Sequence, residues 1–260
     1  MKHLVVQGLR LEYRDIAATV ANRPVLLLLH EGLGCVAMWR QFPEKLAAAT
    51  GCRVIVWSRA GYGASDPYPE PRTKRYMHRE GLEALPALIA ALQIDKPLLV
   101  GHSDGASIAL IFAGAYPEQT CGVVAMAPHE FVEEETLAGI LAAKTAWTVT
   151  DWPQKLARYH RNAPQVFSDW NDTWLAADFR DWNIEAYLPQ ICCPVLAMQG
   201  EDDEYATMRQ IEVIAEQVQG AELLKLPNCG HSPQRDQENA VLEAISRFVG
   251  PLALPQACVN

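Results

Sequence analysis

The sequence predicts an α/β fold: a doubly wound, mostly parallel sheet of about eight strands with an inserted helical cap. Three observations carry that expectation. Short, unbroken apolar runs recur along the chain, among them Val25-Leu26-Leu27-Leu28-Leu29, Val54-Ile55-Val56-Trp57 and Leu98-Leu99-Val100. Runs without polar alternation suit strands buried on both faces, as parallel sheets require. Helical patterns separate these runs, giving the β-α alternation of a parallel sheet. The alternation then stops between residues 128 and 187, where five of the seven tryptophans fall. The 260 residues therefore divide into a first core part, 1–127, a helical cap, 128–187, and a second core part, 188–260.

In chain order, Leu4-Val5-Val6 and residues 9–13 read as a hairpin about Gly8. Arg23-Pro24 opens the strand at 25–30, which ends in the glycine-rich turn His30-Glu31-Gly32-Leu33-Gly34. Residues 38–49 have helical spacing, and Gly51 closes that helix as a left-handed cap. The strand at 53–57 runs into the turn-rich stretch 58–66. An amphipathic helix spans 76–92, with a kink expected at Pro86. The strand at 97–100 enters Gly101-His102-Ser103-Asp104-Gly105, and a helix of small residues leaves it. A strand at 123–127 precedes the cap, within which 135–146 and 153–160 are helical. Alternation resumes with a strand at 194–198, a helix at 207–218 and a strand at 221–226. The loop Asn228-Cys229-Gly230-His231 then leads to a last helix at 239–249.

Composition narrows the function classes. Half the residues are hydrophobic and a fifth charged, as in a soluble globular protein. The net charge of −9 repels phosphate backbones and anionic lipid surfaces, so neither a nucleic-acid nor a membrane partner is expected. No apolar run approaches membrane-spanning length, and Met1-Lys2-His3 opens no signal-peptide pattern. The cysteines at 35, 52, 121, 192, 193, 229 and 258 are odd in number and form no C-x-x-C pair. Buried or incidental thiols in a reducing cytoplasm are the expectation. No histidine–carboxylate spacing suits a metal, and no glycine-rich phosphate fingerprint is present. The expected partner is a small-molecule substrate, without metal or cofactor; a homodimer is left open.

The chemistry centres on Ser103. A Gly-x-Ser-x-Gly turn between strand and helix forces its serine into sparsely allowed φ/ψ space, and Gly101 and Gly105 remove side chains that would clash. Serine needs a base to take its proton, and that base must be held in the correct tautomer. Gly200-Glu201-Asp202-Asp203 and Asn228-Cys229-Gly230-His231 each follow a strand end. The carboxyl ends of parallel strands share one edge, so all three loops converge there. Spacing alone leaves Asp203 and Asp202 as alternative acids.

Five motifs in this order, spread over nearly the whole chain, resemble the α/β-hydrolase superfamily. They are the His30 loop, the segment Ser58-Arg59-Ala60-Gly61-Tyr62-Gly63-Ala64-Ser65, the Ser103 elbow, Gly-x-x-Asp and Gly-His. The resemblance implies that Ser103 attacks an acyl carbon, that His231 is its general base, and that Asp203 orients His231. It implies an oxyanion hole from the backbone N–H groups of Asp104 and Gly32. This sequence departs from the family at Glu31, where glycine is usual, at Asp104, where methionine or glutamine is common, and at Ser58, where aspartate is usual. Glu31 is expected to turn away from the oxyanion or to pair with an arginine. Glu31, His129, Trp147 and Trp174 are candidate substrate contacts, His30 braces its loop, Arg59 and Arg158 are expected in surface or loop-bracing roles with pairing to a substrate carboxylate as the alternative, and His78 and His102 carry no expected role. The implied activity is cofactor-free hydrolysis of a small, fairly apolar carboxylic ester. The alternatives are a carbon–carbon hydrolase of meta-cleavage-type ring products and a ligand receptor that has lost turnover. The carbon–carbon hydrolases usually carry Asn before and Met after the serine and Trp after the histidine, where this chain has His102, Asp104 and Ser232.

Overall fold

Leu26, Leu27, Leu28 and Leu29 form a strand in which every side chain is buried, and the pleat sends them alternately into two cores. The computed structural model describes residues 1–68 and 70–252; Cys258 lies outside the described residues. Eight strands make one sheet: β1 (Lys2–Val6), β2 (Leu9–Ile16), β3 (Leu26–Leu29), β4 (Val54–Trp57), β5 (Leu98–His102), β6 (Gly122–Met126), β7 (Val195–Gly200) and β8 (Glu222–Leu226). Their order is β1-β2-β4-β3-β5-β6-β7-β8. β1 and β2 form an antiparallel hairpin, its turn closed by Gln7 and Gly8 at φ 49° and 82°, the left-handed pair that two-residue hairpins favour. β2 meets β4 antiparallel, and every later pairing is parallel. The expected α/β fold and its mostly parallel sheet are the observed ones.

Among the described residues there are ten α-helices: α1 (Phe42–Thr50), α2 (Tyr76–Arg79), α3 (Leu85–Ala91), α4 (Asp104–Ala115), α5 (Glu134–Val149), α6 (Trp152–Leu156), α7 (Ala163–Leu175), α8 (Arg209–Gln217), α9 (Pro233–Asp236) and α10 (Glu238–Val249). Three differ from the sequence reading: the helix expected at 153–160 ends at Leu156, and two others depart for local reasons. The helix expected at 38–49 is split, because Arg40 adopts φ 52° and ends a short 3₁₀ turn before α1 begins. Gly51 closes α1 in the left-handed conformation, as expected. At Pro86 the expected helix is not uniformly α. A π-helical stretch, Glu80–Ala84, joins α2 to α3, and its wider turn accommodates a residue that cannot donate and would crowd the preceding turn. The Leu82 carbonyl, four residues before Pro86, accepts the Tyr116 hydroxyl at 2.8 Å instead.

Two cores follow from the pleat. Leu26, Leu28, Val54, Val56, Leu98 and Val100 pack with α1 and α10 on one face. Leu27, Leu29, Ile55, Trp57 and Leu99 pack with α4 on the other. Helix α4 is buried from Asp104 to Gly114, and its small residues allow close approach. A side chain at Gly101 would overlap the backbone of Gly105 and Ala106, and one at Gly105 would overlap the Leu29 carbonyl. β3, β5 and the start of α4 are thereby locked together under Ser103.

Helices α5, α6 and α7 form an insertion between β6 and β7. Its two crossings are tied by an antiparallel bridge between Phe131 and Asn183, and Ile184 N–H donates to the Glu130 carbonyl at 2.7 Å. All six described cysteines are free. Among the described residues, no helix is long and apolar enough to cross a membrane.

Candidate active site

Ser103 sits between β5 and α4 at φ 52°, ψ −122°, a conformation that costs a non-glycine residue about 1–3 kcal/mol. Its amide donates to the Met126 carbonyl at 2.9 Å, and its own carbonyl receives the N–H groups of Ala106 and Ser107. These bonds over-determine the turn and hold the side chain toward the carboxyl edge of the sheet.

The acid and histidine loops are joined to each other before they reach Ser103. Gly200 ends β7 against the 229–230 backbone, where any side chain would overlap the Cys229 carbonyl. Glu201 N–H donates to the Leu226 carbonyl and Asp202 N–H to the Cys229 carbonyl, both at 2.9 Å. Both Asp203 carboxylate oxygens then lie 2.9 Å from His231 Nδ1, and His231 Nε2 lies 2.9 Å from Ser103 Oγ. Asp203 has a fully buried side chain and accepts the Tyr205 N–H at 2.9 Å. Asp202 is exposed. The two candidate acids are separated by this geometry, with Asp203 against the histidine.

Charge follows from the same contacts. Burial disfavours the imidazolium form of His231, but Asp203, aided by Glu204 and Glu31, outweighs it and holds the imidazole above its ordinary pKa. Burial alone would raise Asp203; His231 and its hydrogen bond outweigh this and hold the carboxyl below its ordinary value. The pair therefore favours imidazolium against carboxylate.

Gly32 and Asp104 border the same cavity as Ser103. Neither backbone N–H has a protein acceptor among the described residues, so both can donate to an oxygen carrying developing charge. The Asp104 side chain points elsewhere. Its Oδ2 accepts the Tyr76 hydroxyl at 2.8 Å and lies 3.6 Å from Arg59 Nη2, while Trp174 Nε1 donates to that Tyr76 oxygen at 3.1 Å. A chain of contacts thus runs from the helical insertion to the residue after Ser103.

The His30 loop is braced as expected. Arg59 N–H donates to His30 Nε2 at 3.1 Å, so Nδ1 carries the ring proton and donates to the Glu31 carbonyl at 2.7 Å. Arg59 Nη2 donates to the same carbonyl at 2.9 Å. The Glu31 carboxylate does not pair with an arginine. It lies 3.5 Å from His102 Nδ1, and although burial opposes its ionisation, His102 outweighs this and brings its pKa down to about 2. At Ser58, the departure from the expected aspartate is compensated by Glu12, whose Oε1 accepts the Ser58 hydroxyl at 2.6 Å.

The cavity over Ser103 encloses about 240 Å³. His129 and Trp174 line it as expected, and Trp147 does not. Trp147 stacks flat on Phe167 of α7, centroids 4.1 Å apart; it shares a helix face with Ile140 and Ala143 but lies about one to two turns farther along α5. Trp152 and Trp170 line the cavity instead. The 3–4 spacing of Phe167, Trp170 and Trp174 on one side of α7 is the sequence signal that marks that inner face. His129 is buried beside His231, and burial followed by that neighbour pushes its pKa down to about 3. His102 has a partner: its Nε2 lies 2.6 Å from the His231 carbonyl oxygen. Tyr205 also borders the site, its ring centroid 4.8 Å from that of His231. Among the described residues, no group of three or more histidine, cysteine, aspartate or glutamate side chains is arranged to hold a metal ion.

Comparison with known proteins agrees with this architecture. The family model for the alpha/beta hydrolase fold matches residues 24–164. The chain is 26% identical to the serine hydrolase BPHL of Mus musculus, over 88% of this chain and 79% of that protein. It is 24% identical to the 2-hydroxy-6-oxo-6-phenylhexa-2,4-dienoate hydrolase of Burkholderia cepacia, over 83% of this chain and 84% of that one. Among solved structures, the enol-lactonase of Burkholderia xenovorans LB400 superposes with a TM-score of 0.75 at 18% identity, covering 95% of this chain and 99% of that one.

Proposed function

The chain belongs to the α/β-hydrolase fold family, and from that premise we propose that it is a serine hydrolase cleaving a small, fairly apolar carboxylic ester through an acyl-enzyme. The observation that carries the reading is the unbroken contact from Ser103 Oγ through His231 to Asp203, 2.9 Å at each step. Ser103 attacks the acyl carbon as its proton passes to His231 Nε2, and Asp203 stabilises the imidazolium. General-base help of this kind contributes about 10²–10⁴-fold. The N–H groups of Gly32 and Asp104 take the oxyanion, and a donor so placed supplies roughly 3 kcal/mol. His231 then returns the proton to the leaving alcohol, and water attacks the acyl-enzyme by the same route.

The size of the cavity and its tryptophan and isoleucine lining support a short acyl or alcohol group. A second reading has a supporting observation: the Burkholderia cepacia relative is named a 2-hydroxy-6-oxo-6-phenylhexa-2,4-dienoate hydrolase. The same serine relay can serve that chemistry. Hydrolysis of p-nitrophenyl esters of increasing chain length, wild type against Ser103→Ala, tests the ester reading. Turnover with one preferred length, lost in the variant, supports it. A folded wild type that turns over none of them sinks it, and vinylogous 1,5-diketones become the next substrates.

A further inference from the structure

Three cavities meet at the entrance to the Ser103 site. The cavity over Ser103 shares Trp152 and Leu156 with a second, of about 300 Å³. Both share Met38 and Arg235 with a third, of about 580 Å³. The ionisable side chains around them are unevenly matched. Each bordering carboxylate has a partner. Glu31 faces His102, and Asp104 faces Arg59 and Tyr76. Glu204 accepts the His231 N–H at 3.1 Å, Asp236 accepts the Gly230 N–H at 3.0 Å, and Glu238 pairs with Lys45 at 2.5 Å.

The cations are not matched in the same way. The second cavity is lined by Arg40, Lys155, Arg158 and Arg235, with no acidic side chain among its walls. Lys155 pairs with Asp151 at 2.9 Å, and Arg158 acts on that carboxylate only at longer range. Among the described residues, no ion pair or side-chain hydrogen bond engages the guanidinium groups of Arg40, Arg158 or Arg235. Three unpaired arginines thus surround one opening in a chain of net charge −9. Like charges gathered at a mouth repel one another, and an anion between them relieves that repulsion. Guanidinium is also the side chain best shaped for planar or tetrahedral oxyanions.

We propose that this mouth binds an anionic oxygen group, a carboxylate or a phosphate, at the end of the substrate remote from the scissile carbonyl. Arg235, on α9, borders all three cavities and connects the mouth to the Ser103 site. Arg158 and Arg40 flank it. The substrate class is therefore an ester or lactone whose short apolar middle occupies the tryptophan-lined cavity and whose charged end reaches the mouth. This rests on the hydrolase reading above and narrows it.

The test uses methyl half-esters of linear dicarboxylic acids, six to ten carbons long, each against the neutral ω-carboxamide of equal length, with the ω-phosphate analogue as a third arm. Methanol release gives kcat/KM for wild type and for the Arg158→Gln/Arg235→Gln double variant. Calorimetric binding of the same compounds to Ser103→Ala gives a readout that does not need turnover. The expected result is a charged-over-neutral preference of about tenfold at low salt, falling toward one in the double variant and in ~0.5 M salt. A stronger response to phosphate than to carboxylate assigns the group. Equal kcat/KM and equal binding for charged and neutral partners, or a preference untouched in the double variant, overturns the proposal. Charge-selective binding with no turnover of any ester supports the mouth and sinks the hydrolase reading, so the two failures are distinguishable.

Discussion

His102, the residue before Ser103, hydrogen-bonds through Nε2 to the backbone carbonyl of His231 at 2.6 Å. A carbonyl can only accept, so Nε2 carries a proton, and Nδ1 lies 3.0 Å from the Gln234 amide and 3.5 Å from the Glu31 carboxylate. One strand-end side chain thereby fixes the main chain that presents the base. In His102→Ala we expect kcat to fall by about tenfold or more while KM changes less. Fluorophosphonate labelling of Ser103 should slow in parallel. Unchanged labelling would remove His102 from the positioning of His231.

Asp203 and Asp202 are neighbours with opposite expected sensitivities. Asp203→Asn leaves an amide facing His231 Nδ1 and disturbs its tautomer, so kcat should fall by about three to four orders of magnitude. Asp202 makes its contact to the histidine loop through its backbone N–H, so Asp202→Asn should change kcat/KM by no more than about twofold. Steady-state kinetics on one ester decides between them.

The pH dependence of activity and of stability should be displaced from each other. His231 must be neutral to act, and its pKa is held above the ordinary histidine value. The acid limb of kcat/KM should therefore lie above ~6.5 and activity should rise with pH through it. The stabilisation by the same pair behaves differently. The His231 part is fully present below ~6.5 and is lost as pH rises through the raised folded value, while the Asp203 part is present above ~3.9 and is lost as pH falls through the lowered one. The pair thus stabilises most between about pH 4 and 6.5, on the acid side of the expected activity limb. Thermal melts and kinetics across one pH series measure both curves. A kcat/KM limb below 6.5 would contradict the ion-pair geometry.

Ser103 holds a left-handed φ without being glycine. Ser103→Ala and Ser103→Gly both remove the hydroxyl, but only glycine relieves the backbone. We expect Ser103→Gly to be more stable than Ser103→Ala by about 1 kcal/mol, or roughly 2–4 °C in Tm for a chain of this size. Equal melting temperatures would mean that the turn carries no strain.

Gly32 lies against the indole of Trp170, which a methyl group at that position would strike. Gly32→Ala must displace either the oxyanion-side loop or the tryptophan, and kcat/KM should fall by about 10–100-fold. Replacing Trp170 by leucine in the same chain makes room for the methyl. Recovery in the double variant locates the defect in that contact, and a loss that stays complete places it in the loop itself.

Much of this was legible before any coordinates because the strands are unbroken apolar runs and the turns carry their own chemistry. Gly101, Gly105 and Gly200 stand where backbones touch, and those contacts bring the three loops together. What was not legible depends on direction. Trp147 and Trp152 both pack on Phe167, yet only Trp152 also lines the cavity. His102 read as incidental because its partner is a backbone carbonyl 129 residues away, which no local pattern encodes. Spacing alone leaves two adjacent aspartates and only the family resemblance singles out Asp203, since successive side chains in a loop can point opposite ways and the packed fold decides which one meets His231. Arg40 broke an otherwise acceptable helical pattern by a backbone angle that residue type does not announce.

The bridge between Phe131 and Asn183 has a consequence for how such chains diversify. Because the two ends of the helical insertion are already pinned side by side, the sheet does not depend on what lies between them to hold β6 and β7 in register. Closing a loop whose ends are fixed costs little more when the loop grows or is replaced. Residues 131 and 183 are therefore natural splice points: a lid from another member of the family, cut at the matching places, could be grafted onto this sheet. Such a graft has to replace the contacts that Trp170 makes with Gly32 and that Trp174 makes with Tyr76 if the nucleophile and its surroundings are to keep their geometry.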